Sequence, residues 1–255
     1  MKITSIALDK AVSDGPIDAF SHVLLSESPT LDEVLDCLAS LHMADPRHRY
    51  LCTLDDVGQC RYTSMHASDD ERIALYEDED PATPEDALAA RERLLAHVVA
   101  QLERSTHRLE WTALAGTLIC SDEDIEALVA ANATPDLIVD DVVCVQRVPV
   151  TRDDLLIAAL PNGYFSADWD IFHNHALIRH LQEHYDYRLF GLGASWLGFQ
   201  RDCESSPAEA SALVADLKRI YAAGTHDTWS KLTATLATRT TLLLGYTEDF
   251  SEQLS

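Results

Sequence analysis

The sequence predicts an α/β (or α+β) protein in which a mixed sheet is flanked by helices. Three observations carry that prediction. From residue 142 onward, short apolar runs alternate with longer segments of helical period. Several helical segments open on a capping residue. A hydrophobic fraction of 47% with 24% charged residues is ordinary for a packed core. A chain of 255 residues has room for one large domain or two small ones. The change in regularity near residue 140 suggests two lobes, an N-terminal mixed lobe over 1–140 and a C-terminal α/β lobe over 141–255.

The first half mixes short helices and strands. Thr30 followed by Glu33 is a reciprocal helix cap, and Leu31, Val34, Leu35, Leu38 and Leu41 mark one face of the helix that follows. RYLCTL and QCRYTSM, either side of DDVG, read as a hairpin. Residues 68–86 contain nine acids and one Arg, and read as an exposed connection around a short strand, IALY. Pro84 and Glu85 open a helix over about 84–104, with Leu88, Leu95, Val99 and Leu102 on its buried side. LEWTALAGTLIC reads as a strand. Ser121 caps a short helix whose first-turn acids complement the helix dipole.

The second half opens with a strand ending at Pro149 and a helix, TRDDLLIAAL, stopped by Pro161 and Gly163. A helix over 171–185 leads into YRLFGLGASWLGFQR, read as one long strand with Gly191, Gly193 and Gly198 admitting close neighbours. A capped helix ended by Gly224, a helix over about 227–237 and the strand TTLLLGYTE complete the order.

Charge narrows the partners. Lys and Arg number 19 against 43 acids, a formal charge of −24. That field repels phosphates and anionic membranes, and it accelerates encounter with a basic partner in a salt-sensitive way. Solubility alone is the competing explanation. The six cysteines stand singly with no CxxC pair, and only Cys52 and Cys60 fall on neighbouring predicted strands. The N-terminus lacks a signal-peptide pattern and no apolar run approaches the ~18 residues of a membrane span. A reducing cytoplasm is the expected location.

His173, His175, His180 and His184 fall within twelve positions. HLQEH matches H-x-x-E-H, which would make His180 and His184 zinc ligands and Glu183 a base. A third ligand would come from elsewhere, with Glu204, Glu209 and Glu248 available. A five-residue match with two free positions is weak in a chain with 11 His and 43 acids, so a partly buried structural helix is the favoured reading and metal the runner-up. GLGASWLG departs from G-x-G-x-x-G, because its third Gly comes two residues late and a strand continues where a helix should open. In DWD at 168–170 the two carboxylates could serve acid–base chemistry, but Asp170 is more simply a helix cap. Tyr164, Phe165 and Trp169 suit either an interface or the core.

The run PNGYFSADWDIFHNHALIRHLQEHYDYRLFGLGASWLGF, followed by two helices and LLLGYTE, resembles a bacterial family of uncharacterised domains. The family's pattern is a GYFS-D turn, a helix, a Y-L-GIGA strand and a final strand, covering roughly 141–250 here. This chain has Asp186 between two tyrosines where the family pattern has Gly. The resemblance carries no catalytic residues and implies a link to toxin immunity or inter-bacterial competition.

Taken together, these features predict a non-catalytic cytoplasmic protein that needs no cofactor. It would act as an immunity-type inhibitor, occluding a basic toxin or effector without binding nucleic acid or membrane itself. The expected contact residues are Asp69, Asp70, Glu71, Glu77, Asp78, Glu79 and Asp80, with Asp122, Glu123 and Asp124 as a second face. A zinc hydrolase and a ligand-sensing module of a defence system are the alternatives.

Overall fold

The computed structural model describes residues 1–76 and 80–254. In chain order its elements are β1 (Lys2–Ser5), α1 (Leu8–Asp14), β2 (Ser21–Ser26), α2 (Leu31–Ala44), β3 (Arg49–Thr53), α3 (Val57–Ala67), α4 (Pro84–Leu102) and α5 (Asp122–Ala133). There follow β4 (Val143–Val148), α6 (Ile171–Tyr185), β5 (Arg188–Leu192), β6 (Trp196–Gln200), α7 (Pro207–Tyr221), α8 (His226–Leu236) and β7 (Thr241–Gly245). The strands form one mixed sheet in the order β1-β2-β4-β3-β5-β6-β7. Only β3 and β5 run parallel, and every other neighbouring pair is antiparallel.

Sequence halves do not separate in this sheet. β4, from beyond residue 140, lies between β2 and β3, and β3 pairs in turn with β5. The predicted boundary at 140/141 lies in the connection just before β4, and strands from both sides of it share one continuous hydrogen-bonded layer. Buried side chains from β2 through β7, including Leu25, Leu51, Val145, Leu192, Phe199 and Leu243, belong to one apolar cluster.

Capping explains why several helices start where the sequence predicts. Thr30, Thr83, Ser121 and Ser206 each accept a hydrogen bond from the amide three residues on, and the acid at that position bonds back. Asp170 accepts from the amides of Phe172 and His173 and starts α6.

Four local expectations are corrected. QCRYTSM is helix α3, not the second strand of a hairpin. Asp56, at φ 34°, turns the chain out of β3, and its carboxylate accepts from the Gln59 amide. The residues this helix buries, Cys60, Thr63, Ser64 and Ala67, have helical spacing, but two are polar, so no apolar stripe shows. LEWTALAGTLIC is not a strand. It forms a 3-10 turn at Trp111–Leu114 and then a bend at Gly116, whose φ is +74°, and it buries only Leu114 and Leu118 deeply. Ile73–Tyr76 is likewise irregular, with Ile73 buried and Tyr76 exposed.

The fourth correction matters most. The predicted long strand is a hairpin, β5 and β6, joined by Gly193, Ala194 and Ser195, with Leu192 opposite Leu197. The Gly193 amide donates to the Trp196 carbonyl at 2.8 Å. No polar turn sequence marks it because the turn is buried, with Ala194 4% and Ser195 7% exposed. Two smaller differences remain. TRDDLLIAAL is a 3-10 helix over Asp153–Ala159, and α7 ends with Ala222 in the left-handed region two residues before Gly224.

Candidate functional site

Helix α3, the turn after it and the loop before α6 converge on one exposed surface. α3 presents Tyr62, Met65 and His66, and the following turn carries Asp69, Asp70, Glu71 and Arg72. The loop brings Tyr164 and Phe165. At Gly163, φ is +80° and an added Cβ would lie 2.0 Å from the Trp169 carbonyl oxygen, so the loop folds back tightly on itself.

Aromatic rings run across this surface in contact. Tyr62 meets His66 edge-on at 4.5 Å, His66 lies 4.8 Å from Tyr164, and Tyr164 meets Phe165 edge-on at 5.1 Å. Tyr62, Tyr164 and Phe165 remain about half exposed, and Met65 is 58% exposed. Beside them opens a cavity of about 600 Å³, whose lining includes His66, Asp69, Glu71, Asn162, Tyr164 and Asp170. Asn162 is 1% exposed, and neither atom of its amide makes a hydrogen bond within normal geometry.

Arg72 ties the surface together. Its guanidinium pairs with Asp70 and, at 2.5 Å, with Asp170, while lying 4.3 Å above the Phe172 ring. Burial works against ionisation of Asp170. Hydrogen bonds from His173 and Arg72 outweigh it and hold the carboxyl well below the usual range.

The predicted acidic residues therefore divide. Asp69, Glu71 and Asp80 are exposed, and Asp70 is half-buried against Arg72. Glu77, Asp78 and Glu79 lie outside the described residues. In the second face, Asp124 is corrected from a contact residue to a buried structural one. It closes the Ser121 cap and accepts from the Ser251 amide at 3.0 Å. Asp122 accepts from the Gly224 amide, and Glu123 is exposed. Trp169, grouped in sequence with Tyr164 and Phe165, is fully buried, and its indole donates to the Thr117 hydroxyl at 2.8 Å.

Each α6 histidine is engaged differently. His173 pairs with Asp170 at 2.6 Å, and buried His175 with Asp154 at 3.1 Å. His180 Nε2 lies 2.9 Å from Asp216, and its ring stacks on Trp111 with centroids 4.0 Å apart and planes 4° from parallel. Desolvation lowers its pKa, and the Asp216 hydrogen bond opposes that shift. His184 sits 4.4 Å from His180 ring to ring, but its Nδ1 contacts the His180 carbonyl oxygen. Glu183 is exposed, as are Glu204 and Glu248, and Glu209 caps α7. Among the described residues, no three or more His, Cys, Asp or Glu side chains are grouped to hold a metal ion.

Sequence reasoning passed over Asp55, which lies inside the predicted hairpin. Its Oδ2 accepts from the Ser195 amide at 2.9 Å, its backbone oxygen accepts from Ala194, and Oδ1 has no partner. Burial pushes its carboxyl up to about 7. Gly193 permits this packing, since a Cβ there would lie 1.7 Å from Asp55 Oδ1. At Gly191 and Gly198 the close neighbours are side chains, Leu54 with Cys52 and Phe190 with Leu54, and only Gly193, which belongs to the turn and not to the strand, has neighbouring backbone, that of Asp55, as close. The cysteines are free, and Cys60 points its thiol to the Leu192 carbonyl at 3.7 Å. No helix among the described residues is long and apolar enough to cross a membrane. No protein-family model, no curated protein and no solved structure matches this chain.

Proposed function

We propose that the protein is a non-catalytic binding protein that occludes a basic toxin or effector, in the manner of an immunity inhibitor. One observation carries this reading: exposed aromatic rings in mutual contact stand beside Asp69 and Glu71, for which no ion pair is seen among the described residues. Tyrosines at the centre of a patch supply desolvated contact area, and surrounding acids steer a cationic partner toward it. The −24 charge extends that steering beyond the patch.

Capture at low salt, followed by association and dissociation kinetics with the retained protein, tests the proposal. A basic partner is expected, with association slowed by salt and by Asp69→Asn with Glu71→Gln. Tyr164→Ala with Phe165→Ala should accelerate dissociation instead. A neutral or acidic partner that binds independently of salt would overturn the electrostatic argument.

A further inference from the structure

A second cavity, of about 610 Å³, opens where β5 begins and β6 finishes. Its size lies within the roughly 300–1,000 Å³ typical of small-molecule pockets. Leu38 of α2 and Phe190 of β5 supply apolar wall. In a strongly acidic chain, this lining carries three guanidinium groups, of Arg49, Arg188 and Arg201, against the carboxylates of Asp153 and Asp202.

Two of the arginines are satisfied by the protein. Arg49 meets Asp153 at 2.7 Å and donates to the carbonyls of Pro46 and Thr151. Arg188 pairs with Asp202. Arg201 is different. Its side chain is only 5% exposed and lies 5.5 Å from the Tyr187 ring centroid. Nη1 donates to the Ser205 hydroxyl at 2.7 Å, but Nε has no partner. The nearest acid to Nη2 is Glu209, at 3.7 Å and half exposed. The Nε and Nη2 edge of a guanidinium is the edge that grips a carboxylate through two parallel hydrogen bonds. Here that edge is only partly met, with Nε unpartnered and Nη2 facing Glu209 at 3.7 Å, and a buried cation gains from an anion that completes it.

We propose that this cavity binds a small carboxylic acid, with its carboxylate on Arg201 and its apolar body against Leu38 and Phe190. This site stands independently of the protein-binding surface.

The test is titration of the full-length isotope-labelled protein with hexanoate, and separately with hexylamine and inorganic phosphate. Hexanoate should saturate with a Kd of about 1 mM or below. Its shifts should centre on residues 35–42, 188–190 and 200–202 and include the Arg201 Nε resonance. Arg201→Lys should weaken hexanoate at least tenfold, because a lysine cannot make the two parallel bonds. If that variant does not fold, the wild-type shift map decides. Failure to saturate, shifts centred elsewhere, or equal or tighter binding of hexylamine or phosphate would each overturn the assignment.

Discussion

Replacing Asp55 by Asn tests whether the β5–β6 turn is held by a carboxyl group that resists ionisation. Burial raises the Asp55 pKa from 3.8 to about 7, and Oδ1 meets no donor that would stabilise the charge. The folded state therefore holds a proton that the unfolded chain releases near 3.8. The stability linked to this group is fully present below pH 3.8 and is lost as pH rises through about 7. About three pKa units at ~1.4 kcal/mol each set an upper limit of about 4 kcal/mol. Roughly 2 kcal/mol of that falls between pH 5.5 and 8, a range that stays above the pI of 4.6. An Asn amide can keep the bond from the Ser195 amide and does not ionise. Its orphaned N–H₂ replaces an orphaned O–H, so any fixed cost cancels when two pH values are compared. Urea unfolding of both proteins at half-unit steps from pH 5.5 to 8 should show the variant gaining about 2 kcal/mol on the wild type as pH rises. A difference that stays flat over this range would refute a protonated, buried Asp55.

Further expectations follow from single contacts. Gly193→Val should destabilise by at least about 3 kcal/mol, because its Cβ would meet the Asp55 carboxylate and backbone, whereas Gly191→Val should cost roughly 1–3 kcal/mol against Leu54 and Cys52; equal stability of both variants to wild type in urea would contradict the packing. Thr30→Ala should remove about 1 kcal/mol by opening the cap on α2, measurable in the same assay. His180 has a lowered pKa, so its linked stability is lost as pH falls below 6.5, and His180→Gln should flatten that part of the wild-type profile. An unchanged acid limb would show that burial against Trp111 does not hold the ring neutral against the opposing pull of Asp216.

The sequence by itself determined the helices that announce their own ends. Thr30 with Glu33, Ser121 with Asp124, and Asp170 ahead of Ile171 are interactions among residues three apart or fewer, so the pattern in the chain is the interaction. Apolar runs likewise determined β4, β7 and the presence of a mixed sheet. Tertiary structure alone decided the rest. α3 buries small and polar residues whose helical period carries no apolar signal. The β5–β6 turn is held by Asp55, 140 residues before Ser195, and by the Tyr246 hydroxyl on the carbonyls of Gly193 and Ala194. A buried turn supported from elsewhere needs no turn residues of its own, so the segment read as one strand. The acidic segment was visible as composition, but only packing showed that Arg72 neutralises Asp70, that Asp124 is buried, and that Tyr62 and His66 join Tyr164 and Phe165. Such surfaces and pockets are assembled from distant parts of the chain, because long-range packing, and not local pattern, sets which side chains share a face.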